Sequence, residues 1–346
     1  MRILFLNKMR DGGFRAFDYA SLEGMRGGER TVMYLADALA RRGHAVTVSC
    51  AGAPAGASAG GVAVADPTAV MATDFDVAVS NNFAHAFDGI RAPLKVIWTH
   101  NPGFSRAHIR ADLIAKLRHR PYLVHLSRYT ERRSWFLPRR GQTVIRHGMP
   151  ADLLGRFGAR EKTPPPVAVF ASYAGRNLRK VVEAWRDVVH RRVPAARLVV
   201  TSEAAPKHLA HMTQAQLAAI NIELAGTLPW TQLMQLFGTA RLLVAPGHFQ
   251  ETYNLLSIEA AACGLPTVTM GIGALRERVI HDETGQIAPT RKALGEALVK
   301  VLTDDALWLR YHRGCLVHPD LVSWEQRALE WERYLDAIGR SGGAIR

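Results

Sequence analysis

Cysteine is scarce: Cys50, Cys263 and Cys315 are the only three in 346 residues, and no C-x-x-C pair occurs. That argues against a disulfide framework or a zinc knuckle and fits a reducing compartment, the cytoplasm. Long apolar runs are missing as well. The run at residues 3–6 is too short for the apolar region of a signal peptide, and nothing approaches the ~18 residues of a membrane span. No low-complexity tract occurs, and no G-x-x-x-x-G-K-[ST] loop, which excludes phosphoryl transfer by a P-loop. Acid is the minority charge: 30 Asp plus Glu oppose 44 Lys plus Arg, a formal net charge of +14. An acidic binding protein is thereby excluded, and an anionic partner is expected: nucleotide, nucleic acid or membrane surface.

What is present is an alternation of short β-branched runs and helical stripes. Residues 3–7, 45–50, 75–80 and 94–99 read as strands, with Val32, Leu35 and Leu39 spaced as a helix between the first two. Arg41-Arg42-Gly43 suits that helix's C-terminus, with Gly43 as the left-handed cap. The second half repeats the scheme. Strands are expected at 167–170, 196–201, 242–245, 267–270 and 286–288. Leu178, Val181, Val182, Trp185, Val188 and Val189 form one face of a long helix. Such alternation predicts an α/β fold with doubly wound parallel sheets. The proline run Thr163-Pro-Pro-Pro166 marks a boundary. We therefore expect two doubly wound, Rossmann-like domains at 1–158 and 159–323 facing a cleft. The stretch 324–346 begins with a helical pattern.

The sharpest segment runs from Gly247 to Pro266. A strand leads into a loop, then into a helix of small residues, then Gly264-Leu265-Pro266. Glu251 falls in the loop and Glu259 about one and a half turns into the helix. The helix N-terminus near Asn254 and Leu255 suits a pyrophosphate. Two carboxylates beyond and behind that point could grip hydroxyls at both ends of a sugar nucleotide. An unpaired Glu259 among Ala260, Ala261 and Ala262 would be costly.

This segment resembles the E-x7-E signature of retaining GT-B-fold glycosyltransferases, most closely glycosyltransferase family 4. The likeness continues in Gly27-Gly28-Glu29, in Arg42-Gly43-His44 with its strand, in Val96-Ile-Trp-Thr-His100, in Val144-Ile-Arg-His-Gly148 and in Gly273-Ala-Leu-Arg-Glu277. The resemblance implies that Gly27 and Gly28 form a loop admitting the donor's distal phosphate. It implies that His100 and Glu251 are catalytic, Glu251 on the transferred sugar, and that Glu259 accepts from the ribose hydroxyls. Tyr253, Asn254 and Leu255 would line the donor site, although Phe-Gly is commoner than Tyr253-Asn254 there.

The family's basic clamp on the phosphates is altered. Arg176 stands in place of the usual lysine, and its planar fork can bind phosphate bidentately. The upstream basic position falls on the uncharged residues 170–172, which Arg179 or Lys180 would have to replace. The implied reaction moves a hexose from a UDP- or GDP-sugar to a hydroxyl acceptor with retention, by front-face substitution and without metal or further cofactor. Surface polysaccharide or glycolipid assembly is the expected setting. Asp74-Phe-Asp76 reads as strand-edge polarity rather than a metal motif, and His208 with His211 as a polar helix face. Gly271-Ile-Gly273 lacks the third glycine of a dinucleotide fingerprint.

Ten Lys or Arg crowd residues 104–140 against Asp112 and Glu131 alone. Ile109, Leu113, Ile114 and Leu117 add an apolar stripe, followed by Trp135, Phe136 and Leu137. This stretch suits an anionic or lipid-linked acceptor, or peripheral contact with an anionic membrane on its cytoplasmic face. The alternative is a core-facing helix with a charged outer side. Two rival functions are a nucleotide-sugar epimerase on the same scaffold and a basic nucleic-acid-binding protein. No RNA motif or helix-turn-helix pattern supports the second, so no nucleic-acid partner is expected.

Overall fold

The short β-branched runs become strands of two sheets, each in its own unit. The computed structural model describes residues 1–6, 27–51, 56, 58–101 and 109–342. The chain divides into a unit formed by Met1–Pro150 with Val322–Arg346 and a second unit, Ala151–Leu321.

The first unit's strands are β1 (Arg2–Leu6), β2 (Ala45–Ser49), β3 (Ser58–Ala59), β4 (Val62–Ala65), β5 (Val77–Asn81), β6 (Leu94–Thr99), β7 (Tyr122–His125) and β8 (Gln142–Val144). Their order is β3-β4-β2-β1-β5-β6-β7-β8. Every pairing is parallel except the edge pair β3–β4. The central strand β1 is buried from Ile3 to Leu6, because helices cover both faces of such a sheet. The helix Gly27–Arg41 ends as expected, with Gly43 at a φ of 87°. The C-terminal helix, Trp324–Gly342, belongs to this unit and buries Trp324, Ala328, Trp331 and Leu335. Ion pairs from Arg41 to Glu325 (2.8 Å) and from Arg42 to Glu332 (2.7 Å) tie it to the Gly27–Arg41 helix. Gly148 is required beneath it: a Cβ there would lie 2.8 Å from the Trp324 backbone.

The second unit's strands are β9 (Val167–Phe170), β10 (Arg197–Val200), β11 (Ile222–Leu224), β12 (Leu242–Val244), β13 (Thr267–Thr269) and β14 (Gly285–Ile287). They pair in parallel in the order β11-β10-β9-β12-β13-β14. The chain winds outward one way from β9 and the other way from β12. The carboxyl ends of these two strands are therefore the topological switch point, where α/β sheets leave a crevice for ligands.

Two findings depart from the sequence expectation, and a third decides between two readings of it. The second unit begins at Ala151, upstream of 158/159. Phe157 is already docked on it against Gly238, where a Cβ would lie 2.6 Å from the ring, and Arg160 N–H donates to His312 Nε2 at 3.0 Å. The helix expected through 178–189 contains a π-helical turn at Trp185–Val189. Trp185 is fully buried there, with its indole N–H donating to Ile220 O at 2.8 Å. The stripe at 109–117 lies on the helix Ile109–His119, and Leu113, Ile114 and Leu117 face solvent, against the alternative of a core-facing helix. Among the described residues no helix is long and apolar enough to cross a membrane.

Candidate functional site

At the switch point of the second unit, two loops are locked together by backbone geometry. Asn177 caps the helix after β9 in a left-handed conformation (φ 64°) and donates from Nδ2 to Gly247 O at 2.6 Å. Gly247 and Gly273 permit the closest approach. A Cβ on Gly247 would lie 2.5 Å from Ile272 O, and one on Gly273 would lie 2.4 Å from His248 O and 2.8 Å from the Glu251 Cβ. The Glu251 backbone is held at both ends, its N–H donating to His248 O at 2.9 Å and its carbonyl accepting from Ala274 N–H at 3.0 Å.

That frame aims the Glu251 carboxylate at Arg176. Arg176 Nη1 lies 2.9 Å from Glu251 Oε1. Glu251 is only 4% exposed, so it is no solvated loop acid. Burial pushes its carboxyl pKa up, while the Arg176 charge and then a hydrogen bond with the Asn254 side chain pull it down. Its second oxygen, Oε2, is buried as well. The Arg176 side chain is 38% exposed and can still reach a ligand. Burial, and then the Arg176 charge, lower the pKa of neighbouring His248 and favour the neutral ring.

The helix Leu255–Ala262 begins beside this pair. Asn254, left-handed at φ 67°, is its N-cap, with Oδ1 accepting from Ser257 N–H at 2.9 Å. Leu255 is half-buried in the first turn. Glu259 lies on the half-exposed side of the helix and accepts from the Trp230 indole N–H at 3.0 Å. Tyr253 is placed differently from the expectation that it lines the site. Its ring is buried under the Arg278 guanidinium, 4.8 Å from ring centroid to cation. Arg278 is in turn ion-paired to buried Asp320. Lys180 is exposed, and the exposed Arg179 pairs with Glu183 at 3.1 Å.

In the first unit, His100 follows β6. Its Nε2 lies 3.3 Å from Thr31 Oγ1, which donates to Gly28 O at 2.8 Å. The ring packs on Trp98 (centroids 4.3 Å apart) and stacks on His147 (5.2 Å). Burial lowers the His100 pKa to about 3, so the imidazole is neutral near pH 7. Gly27 and Gly28 are not a loop: they are the first two residues of the helix Gly27–Arg41. Among the described residues, a Cβ on Gly28 would meet nothing within 4 Å. The preceding segment, residues 7–26, lies outside the described residues.

The structure thus unites Arg176 with Glu251, aligns Asn254, Leu255 and Glu259 on one helix, and joins His100 to the Gly28 turn through Thr31. Sequence reading missed Asn177, Trp230, Thr31 and Arg278. An Asn before a helix was the one visible signal for Asn177; nothing linear connects Trp230 to Glu259. The decoys resolve as structure. Asp74 pairs with Arg91 at 2.8 Å, Asp76 accepts from Arg2 N–H at 2.6 Å, and His208 packs against Tyr173.

Residues 165–304 match the model of the family described as Glycosyl transferases group 1. A glycogen synthase of Mycobacterium tuberculosis is 32% identical over 169 residues, which are 47% of this chain and 40% of that protein. The chain therefore aligns with less than half the length of that curated relative. A sucrose-phosphate synthase from Thermosynechococcus elongatus superposes with a TM-score of 0.72 at 16% identity, covering 99% of this chain and 100% of its own. The Anabaena protein HepE, solved in complex with UDP and glucose, gives 0.74 at 14% identity over 97% and 100% of the two chains. The fold is GT-B, built of two Rossmann-like sheets.

Proposed function

We propose that this chain, whose residues 165–304 carry a group 1 glycosyl transferase domain, is a retaining glycosyltransferase that moves a hexose from a UDP- or GDP-sugar to a hydroxyl acceptor. The observation that carries the reading is the Arg176–Glu251 pair beside the Leu255–Ala262 helix. An exposed guanidinium, a helix N-terminus and a buried carboxylate are what a diphosphate-linked sugar requires.

In this reading the diphosphate lies on the first turn of that helix and takes Arg176. The guanidinium and the helix N-terminus offset the charge of the leaving diphosphate, with no metal called upon. Glu259, steadied by Trp230, accepts from the ribose hydroxyls. Glu251 Oε2 accepts from a hydroxyl of the transferred hexose, which fixes the ring as the anomeric bond loosens. Departure and attack occur on the same face, and a leaving phosphate oxygen takes the acceptor proton, so configuration is kept. In the first unit, neutral His100 offers a hydrogen-bonding group rather than a cation.

The first unit takes the acceptor, and its basic stretch suits an anionic or lipid-linked one, as in surface polysaccharide or glycolipid assembly at a cytoplasmic membrane face. The test is a thermal-shift panel of UDP-, GDP- and ADP-sugars, followed by a product assay with the donor that binds. Stabilisation by one nucleotide family, lost in Arg176→Ala, supports the reading. Indifference to all of them removes it.

A further inference from the structure

The helix Ile109–His119 is inverted. Its inward face carries a buried ion pair, Lys116 with Asp112, and Asp112 Oδ1 also accepts the Ala84 backbone N–H at 2.9 Å. Its outward face carries Leu113, Ile114 and Leu117, exposed by 40, 50 and 59%. The polar anchor fixes the rotation of the helix. Turning it to bury the leucines would break the bond to Ala84 and expel the Lys116–Asp112 pair. Yet burial of such side chains is what ordinarily drives folding, and this fold leaves three in water.

A second apolar projection stands nearby. Trp135 is 74% and Phe136 50% exposed, their rings in edge contact at 5.8 Å. Leu137, next in the chain, shares a buried cluster with Ala115 of the inverted helix. Arg140 N–H donates to Pro121 O at 3.1 Å, which brings the end of the turn beside the end of the helix. These five residues are more than half of the nine large apolar side chains exposed among the described residues.

The surround is predominantly basic. Arg110, Arg120, Arg132, Arg133 and Arg140 are exposed, as is Arg118, which pairs with the exposed Asp88 at 3.3 Å. The two acids of the stretch are spent internally, Asp112 on Lys116 and Glu131 on Arg128 at 2.7 Å. An apolar crest ringed by arginines matches a bilayer whose headgroups are anionic: the hydrocarbon takes the crest and the phosphates take the guanidiniums. We propose that the Ile109–His119 helix and the Trp135–Phe136 turn form a docking face for an anionic phospholipid bilayer. The face itself rests on burial and charge; its use in reaching a lipid-linked acceptor rests on the glycosyl-transfer reading above.

The test uses the full chain with phosphatidylcholine vesicles and with vesicles containing phosphatidylglycerol, separated by flotation. Wild type should float with the anionic vesicles only. Ile114→Ser with Leu117→Ser, and separately Trp135→Ser with Phe136→Ser, should each lower partition about tenfold. Arg132→Gln with Arg133→Gln should weaken it in a salt-dependent way. These side chains are exposed, so melting temperature and nucleotide-induced thermal shift should stay at wild-type values. That separates failure of the docking face from failure of the donor site. No flotation, equal flotation with neutral vesicles, or apolar variants that float like wild type would each overturn the proposal. So would a dimer in solution that the apolar variants dissociate, since a second copy would then cover the face.

Discussion

Arg176 Nη1 stands 2.9 Å from Glu251 Oε1, so the cation read as the phosphate ligand and the carboxylate read as the sugar ligand neutralise each other. A donor must divide this pair's attention, and variants of the two residues should separate binding from chemistry.

Glu251→Gln leaves the shape and frees the guanidinium. It should bind the nucleoside diphosphate severalfold more tightly than wild type in calorimetry. Turnover should fall about a hundredfold or more, as for a group that supports charge in the transition state. Arg176→Ala should lose both affinity and turnover. Equal affinity across the three proteins would mean that Arg176 does not meet the phosphates.

Trp230→Phe removes one indole N–H from the Glu259 carboxylate and keeps the ring. A hydrogen bond to a charged group contributes roughly 1.5–3 kcal/mol when protected, less at this half-buried site. Nucleotide affinity should drop a fewfold, and the drop should vanish for a 2′,3′-dideoxy nucleotide. A loss that persists with the dideoxy ligand would assign Trp230 to the base or to packing.

Arg278→Met should destabilise the second unit by about 3–5 kcal/mol, because it removes the cation paired with the buried Asp320 carboxylate. Arg278→Met with Asp320→Asn should recover part of that. Denaturant midpoints of the two variants decide the matter; a double variant no better than the single would show that the stack on Tyr253 dominates.

Stability of the first unit should fall as the solution is acidified. Burial lowers the pKa of His100 to about 3 and that of His125 to about 4, against an ordinary 6.5. A depressed folded pKa gives stability that is complete above pH 6.5 and is lost progressively toward pH 4 and 3, at up to about 1.4 kcal/mol per pH unit for each ring. His125→Gln should flatten the melting profile between pH 6.5 and 4.5. An unchanged slope would mean that this ring does not contribute it.

The strands and the E-x7-E helix were legible because periodicity is local. β-branched runs such as 94–99 and 167–170 hold enough residues to show a pattern, and all of those short runs became strands. β4, β7 and β11 did not announce themselves: β4 alternates Val with Ala after a pair of glycines, and β7 and β11 carry His125 and Glu223 within their few residues. Non-local chemistry was illegible in the same sense. Arg176 and Glu251 are 75 positions apart, and only the adjacency of β9 and β12 brings them together. The apolar stripe at 113–117 was visible, but its direction was set by Asp112 reaching Ala84, which no helical wheel contains. The +14 charge has the same answer: much of it stands exposed around that stripe, and both neighbouring acids are taken.

Calorimetric and thermal-shift titration of UDP and GDP against wild type and Arg176→Ala tests the central claim most directly. The account predicts that one of the two nucleotides, at about 100 times its dissociation constant, stabilises wild type by about 2.7 kcal/mol and that the variant loses most of this. Binding of neither nucleotide, or equal binding by wild type and Arg176→Ala, would contradict it.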